Sequence, residues 1–343
     1  VIMLVKFNAV RCHYNYVPLY QLLHFTTSSL LFTQALIDAI ANSQVTGNGT
    51  ISPTVSEYFS KINGNLTEVT WAHAVNSRAK LDDALNSTVM MLEADIVMGT
   101  LNNTDDKTII PVMGHPPATE SDISLEQFLN EVLADMKRGV KLDFKTIEVF
   151  NASREILAKV RENMTFPVWL NADILPGPVN ATSTPVDASR FLLGAAETFP
   201  ESTLSIGWTT RYGNNGTNNI TEGSYSADDI HAMLNTVKTN NVTQPITYPV
   251  RAGMAAQSID NLQSLITDSP NGTTLTIWSS DGDDVDTDKL SAVILKIGVT
   301  KVYIDVPDAV REKLHISSGA SGMKIGASAF GAMLAAVAII RLF

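Results

Sequence analysis

The sequence has one cysteine, Cys12, among its 343 residues. No intrachain disulfide can form, and no cysteine cluster can hold a metal. Charge is also scarce, since Asp, Glu, Lys and Arg together make up 17% of the chain. The basic residues are outnumbered, 24 Lys plus Arg against 35 Asp plus Glu, for a net charge of −11. That balance excludes a sequence-independent nucleic-acid binder, which needs a basic face toward phosphates. It equally excludes a polybasic protein held at an anionic membrane surface. Several catalytic templates are missing: there is no Gly-x-Ser-x-Gly elbow, no P-loop and no His-Glu-x-x-His helix. The acidic run Asp281–Asp288 (DGDDVDTD) lacks the placed glycine and terminal glutamate of an EF-hand loop. His231 and His315 stand apart from any motif, on a helical pattern and near the tail.

Apolar residues are not lacking. At 45% they exclude a disordered chain, and the length suits either two domains of ~150 residues or one α/β barrel of ~250. Asparagines are abundant in one pattern, Asn-x-Ser/Thr. It occurs at Asn48, Asn65, Asn86, Asn102, Asn151, Asn163, Asn180, Asn215, Asn219, Asn241 and Asn271, 11 of the 24 asparagines. Roughly four would arise by chance at this Ser and Thr content. The excess points to the secretory pathway and to glycan on surface loops, hence to the cell exterior or the outer face of the plasma membrane. Both ends fit. Residues 1–45 contain the apolar stretch Val17–Ile37 preceded by Lys6 and Arg11, a pattern expected of a signal peptide or signal anchor. Residues 317–343 hold a run of small residues, 317–322, and then the apolar Ala327–Ile340. This pattern suits a GPI-anchor signal or a short membrane-spanning tail, anchoring the protein at its C-terminus.

Between these ends, residues 46–316 read as one domain. Short runs rich in Val, Ile and Leu alternate with amphipathic stretches. The runs are Val69–Val75, Val89–Met98, Ile110–His115, Val140–Lys145, Val168–Leu175, Leu204–Thr209, Ile246–Arg251, Leu275–Ser279 and Val302–Val306. Continuous apolar runs of this length suit parallel strands buried on both faces. The intervening patterns predict helices at Leu125–Met136, Ile147–Val160, Ala188–Thr198, Ala227–Val237, Ser258–Ile266 and Lys289–Ile297. Ser124 and Gln127 have capping-box spacing. Eight strand–helix units would close a (β/α)8 TIM-like barrel. Nine runs leave one extra, and Ile110–His115 is the best candidate, because no helical pattern separates it from the run before. Residues 214–219 (NNGTNN) read as a surface loop.

The strands end in polar residues, where buried strands should end apolar. Glu93-Ala94-Asp95, Asp143-Phe144-Lys145 and Asn171-Ala172-Asp173 place their polar residues two apart, on one strand face. His73, Asn76, His115, Trp208, Arg251 and Trp278 lie at comparable positions. At the C-terminal mouth of a barrel these side chains converge on one pocket, and isolated charges there must be paired or bind metal. Carboxylates without cysteine suit a hard cation, Mg²⁺ or Ca²⁺. Two histidines beside it suit a general acid and a general base.

The order His-x-Val-Asn, Glu-x-Asp, Gly-His, Asp-Phe-Lys-Thr resembles the phospholipase-C-like phosphodiesterase barrels. That group includes glycerophosphodiester phosphodiesterases and the spider-toxin type of phospholipase D. The segments WAHAVNS, LEADIVMG, PVMGHPP, GVKLDFKT, PVWLNADILPGP and LSIGWTTRY are most similar to the menorin family, over about Val69 to Pro307. The resemblance implies that His73 and His115 form an acid/base pair, that Glu93, Asp95 and Asp143 hold a divalent metal, and that Lys145 contacts phosphate. Asn76, Asn171, Asp173, Trp208, Arg251 and Trp278 are then expected to line the substrate pocket. The implied substrate is a phospholipid or a glycerophosphodiester. Menorins also imply a second role, as an extracellular ligand for a cell-surface adhesion receptor in neuronal or dendrite patterning. Against the relatives, the arginine that follows the first histidine of glycerophosphodiesterases is Ala74 here, and the acidic residue that follows their second histidine is Pro116.

Overall fold

The computed structural model describes residues 49–214 and 219–316. The N-terminal apolar stretch with Cys12, the small-residue run, the apolar tail, Asn48 and Asn215 lie outside the described residues. Within them, eight parallel strands form a nearly closed barrel. They are β1 (Trp71–Ala72), β2 (Met91–Leu101), β5 (Gly139–Phe144), β6 (Val168–Leu175), β7 (Thr203–Trp208), β10 (Ile246–Arg251), β11 (Thr274–Trp278) and β12 (Val302–Asp305), hydrogen-bonded in that order. The expected α/β barrel class is therefore the observed one.

The ninth run is the extra piece. β3 (Ile110–Met113) lies antiparallel on the overhanging end of β2, pairing Ile96 with Met113 and Gly99 with Ile110. A hairpin return needs no crossover helix, which is why no helical pattern separates the two runs. β4 (Glu120–Ser121) pairs with the last residues of β2. β8 (Gly213–Asn214) and β9 (Asn219–Ile220) form a small hairpin at the segment read as a loop.

Seven helices make the crossovers: α1 (Arg78–Leu85), α2 (Leu125–Asp135), α3 (Ile147–Val160), α4 (Ala188–Thr198), α5 (Ala227–Thr239), α6 (Ile259–Asp268) and α7 (Thr287–Ile297). The Ser124–Gln127 capping box closes reciprocally, with Gln127 N donating to Ser124 Oγ at 3.2 Å and Ser124 N to Gln127 Oε1 at 3.0 Å. α1 carries no strong sequence signal. It is short and mostly polar, and buries only Leu81 and Ala84. Among the described residues no helix is long and apolar enough to cross a membrane.

The apolar residues fall into two clusters. The larger fills the space between the outer face of the strands and the helices. The smaller comprises Val55, Ile62, Leu66, Val69, Met91, Trp169 and Tyr303 and plugs the lower end of the barrel. Trp71 packs edge-on to Trp169 and Tyr303, with ring centroids 5.4 and 6.4 Å away. Above this plug the interior turns polar. Asn171 accepts from Ser205 Oγ at 2.6 Å, and the hydroxyls of Thr247 and Thr276 meet at 2.7 Å.

No ladder joins β12 back to β1 among the described residues. That seam is closed by other contacts. Leu66 N donates to Val299 O at 2.9 Å. Arg311 donates to Ile304 O on β12 at 3.0 Å and to Thr67 O, ahead of β1, at 2.5 Å. Trp169 contacts both sides of the plug, so Trp169→Ala should cost about 3–5 kcal/mol, the usual loss for an emptied aromatic core position. Thermal or urea unfolding measures this, and a cost below about 1 kcal/mol would show that the plug does not hold the barrel.

Candidate active site

Strand alternation explains which side chains meet. Glu93 and Asp95 on β2 project inward while Leu92, Ala94 and Ile96 project toward the helices, all fully buried. The register pairs Glu93 with Lys141, Asp95 with Asp143, and Asp143 with Asn171. These inward positions surround a cavity of about 1470 Å³ at the C-terminal mouth, and His73, His115, Lys145, Asp173, Arg251, Trp278 and Asp305 line it too.

Glu93, Asp95 and Asp143 are each held by a specific neighbour. Glu93 Oε2 accepts from Ala74 N at 2.8 Å. Ala74 takes φ = 53° to present that amide, a left-handed conformation that costs a non-glycine residue some strain. Asn76 grips Asp95 twice, its Nδ2 donating to Oδ2 at 2.7 Å and its Oδ1 accepting from the Asp95 amide at 2.8 Å. Asn171 Nδ2 donates to Asp143 Oδ1 at 2.7 Å. The remaining oxygens of the two aspartates meet Lys145, whose Nζ lies 2.6 Å from Asp95 Oδ1 and 2.5 Å from Asp143 Oδ2.

His73 Nδ1 lies 2.9 Å from Asp305 Oδ2 and 3.6 Å from Glu93 Oε2. A carboxylate at that distance accepts a hydrogen bond from Nδ1–H and leaves Nε2 available. The ring lies nearly parallel to Trp278, with centroids 6.4 Å apart. His115 follows the β3 hairpin, where Gly114 N bonds Asp95 O at 2.9 Å, and its Nδ1 lies 2.7 Å from Pro116 O.

The ionisation states follow from these contacts. Burial pulls His73 down, but the charge of Glu93 and the hydrogen bond to Asp305 prevail and raise it to about 9. Burial raises Glu93 above the usual carboxylate range, with His73 opposing. Burial also pushes Asp95 up, yet the charge and hydrogen bond of Lys145 bring it below its ordinary value. Lys145 is raised, because Asp143 and Asp95 outweigh its desolvation. Desolvation, reinforced by the charge of Asp143, pushes Asp173 up to about 7.

Glu93, Asp95 and Asp143 each offer one oxygen, and these atoms lie within 4.8 Å of one another. Five carboxylates (Glu93, Asp95, Asp143, Asp173 and Asp305) face His73, Lys141 and Lys145. The donor type and the spacing fit one hard divalent cation.

Several expectations change. Trp208 does not line the cavity. The inward places on β7 go to Ser205 and Gly207, so Trp208 turns outward beneath Tyr225 and Tyr248, with ring centroids 5.2 and 6.3 Å away. Asn76 and Asn171 reach carboxylates and serve as positioning residues. Arg251 is engaged bidentately by Asp283, at 2.8 Å from each oxygen, and stacks over Trp278 at 4.8 Å. His231 and His315 are exposed and do not line the cavity.

Three contributors were not singled out. Lys141 is two residues before Asp143, so strand alternation would have placed it inside. Asp305 ends the last strand, where the other strands place polar groups. Asp283 belongs to the acidic run 281–288 that fits no EF-hand, and its role depends on Arg251 reaching it from the end of β10.

In protein freed of divalent cations, the His73 ring should titrate near 9 by NMR. The stability its charge contributes is full below the free-histidine value near 6.5 and lost as pH rises through about 9. Asp305→Asn should lower that midpoint. An unshifted midpoint would show that Asp305 does not hold the ring.

The sequence pattern described as the Menorin N-terminal domain matches residues 65–311. Human Protein FAM151B is 36% identical over 284 residues, spanning 81% of this chain and 97% of that protein. Among solved structures, the Ignisphaera aggregans GH53 catalytic domain is similar at a TM-score of 0.36 and 12% identity, over 75% of this chain and 83% of that chain. The family match covers nearly the whole barrel, and the chain belongs to the menorin family.

Proposed function

We propose that the protein is a metal-dependent phosphodiesterase acting on a lipid headgroup or a glycerophosphodiester. The observation that carries this reading is the meeting of Glu93, Asp95 and Asp143 with His73, His115 and Lys145 in one cavity. The three carboxylates would hold Mg²⁺ or Ca²⁺, which supplies charge to the phosphoryl oxygens. The chain's own groups do the rest. Lys145 leans toward the phosphate and offsets its charge. His73, protonated and aligned by Asp305, donates a proton from Nε2 to the leaving oxygen. His115, which lines the same cavity, takes the proton from the attacking nucleophile. Asn76 and Asn171 keep the aspartates oriented throughout.

The same reading places the protein outside the cell. Of the nine sequon asparagines within the described residues, eight are exposed, and Asn65 is half-buried beside Glu68. Residues 1–45 would direct secretion, and residues 317–343 would anchor the chain to the membrane.

A second reading has its own support. Lys145 bridges Asp95 and Asp143 and offsets one of their two charges, and Arg251 pairs with Asp283, so part of the cluster is salt-bridged within the chain. That is what a barrel kept as an extracellular ligand for a cell-surface receptor would need, since buried charge must be paired.

Calorimetric Mg²⁺ titration and turnover of lysophospholipid and glycerophosphodiester substrates separate the two. Asp95→Asn should lose metal binding and cleavage together. His115→Ala should keep the metal and lose roughly 10²–10⁴-fold in rate. Wild-type protein that binds no divalent cation and cleaves neither substrate would leave the ligand reading.

A further inference from the structure

The two walls of the cavity differ in chemistry. On the β10–β11 side stand Arg251 and Trp278, stacked on each other. On the β6–β7 side the lining is rich in hydroxyls: Thr182, Ser183 and Thr184 from the loop after β6, and Thr209 and Thr210 after β7. The loop is tied to the barrel at both ends. Gly177 N donates to Thr209 Oγ1 at 3.0 Å, and Val186 N donates to Asp173 O at 2.8 Å. A Cβ at Gly177 would fall 1.5 Å from Thr209 O, so the loop backbone lies directly on the end of β7. Val179 and Asn180 hold φ of 60° and 51°, an unfavourable conformation for a β-branched residue.

Asp173 stands in the middle of this wall. Its register partner is Gly207, and a Cβ there would lie 3.3 Å from Asp173 Oδ1 and 2.7 Å from Pro249 Cγ. The carboxylate thus lies close against the backbone of Gly207. Glu93, Asp95, Asp143 and Asp305 each meet a donor, but the Asp173 side chain meets none among the described residues. A carboxylate in that setting favours a ligand that brings donors. A wall of hydroxyls around it suits a ligand made of hydroxyls, which donate and accept in turn. A quaternary ammonium brings no donor at all.

We propose that the β6–β7 wall is a polyol subsite, in which Asp173 and the Thr182–Thr184 rim bind the hydroxyls of the alcohol esterified to the phosphate. This narrows the substrate class and rests on the phosphodiesterase reading above. Glycerol, inositol and a pentose share this chemistry, and direct binding tells them apart.

The test is calorimetry on the full-length protein in Mg²⁺ buffer with glycerol 3-phosphate, inositol 1-phosphate, ribose 5-phosphate and phosphocholine. At least one polyol phosphate should bind about tenfold or more tightly than phosphocholine, the usual worth of a hydrogen bond to a charged group. Asp173→Asn should bring that ligand down to the phosphocholine level. The paired exposed-rim change Ser183→Ala with Thr184→Val should shift affinity the same way, and it keeps the test open if Asp173→Asn does not fold. Equal affinities, loss of all ligands together, or no binding by any polyol phosphate would overturn the subsite. Turnover is read separately. Cleavage without polyol preference sinks the subsite alone, whereas polyol discrimination without any cleavage sinks the phosphodiesterase reading and leaves the subsite standing.

Discussion

Neutralising acid inside the barrel is the constraint on which the rest of this structure depends. Interior strand positions of a TIM-like barrel are ordinarily filled with branched apolar side chains. Here only the lower plug obeys that rule, and the level above carries Glu93, Asp95, Asp143, Asp173 and Asp305. Unpaired ions there would be prohibitive, so the neighbourhood is organised around them. Lys145 bridges two aspartates, asparagines from other strand ends hold their remaining oxygens, and Ala74 accepts a left-handed backbone to bring an amide to Glu93. The aspartate oxygens that the asparagine amides leave free are the ones Lys145 holds.

Closure of the barrel and alignment of the site are one arrangement. The first strand is two residues long and has no ladder to the last. His73, just beyond β1, bonds Asp305, the final residue of β12, across that seam. The contact that orients the imidazole also ties the open edge, together with the Arg311 bridge and the aromatic plug. Membership of the menorin family and the geometry are in accord, because the matched residues 65–311 include every side chain placed in the cavity.

The hairpin on β2 shows how a departure from the regular unit serves the site. A plain strand–helix step would carry the chain away from the mouth after Leu101. The antiparallel return through Ile110–Met113 instead delivers Gly114 and His115 beside Asp95. His115 and His73 thus reach the same cavity from different segments.

Much of the fold was legible in the sequence because the physical signal was local. Buried parallel strands need continuous apolar runs, and their limits at Val168–Leu175 and Ile246–Arg251 match the structure residue for residue. Helix caps and amphipathic periods placed Ile147–Val160 and Ala188–Thr198 equally well. Strand parity determined that Glu93 and Asp95, and Asn171 and Asp173, share a face. The short polar helix Arg78–Leu85 escaped because its burial comes from packing rather than from its own pattern. Only the tertiary structure decided which polar side chains meet and which partner each takes. It turned Trp208 into the core, where the β6–β7 register gives the inward place to Gly207. It set Asn76 on Asp95 and Arg251 on Asp283, and left Asp173 without a donor among the described residues. Those outcomes depend on register between strands and on loops far apart in the chain, and neither is written into any local run of residues.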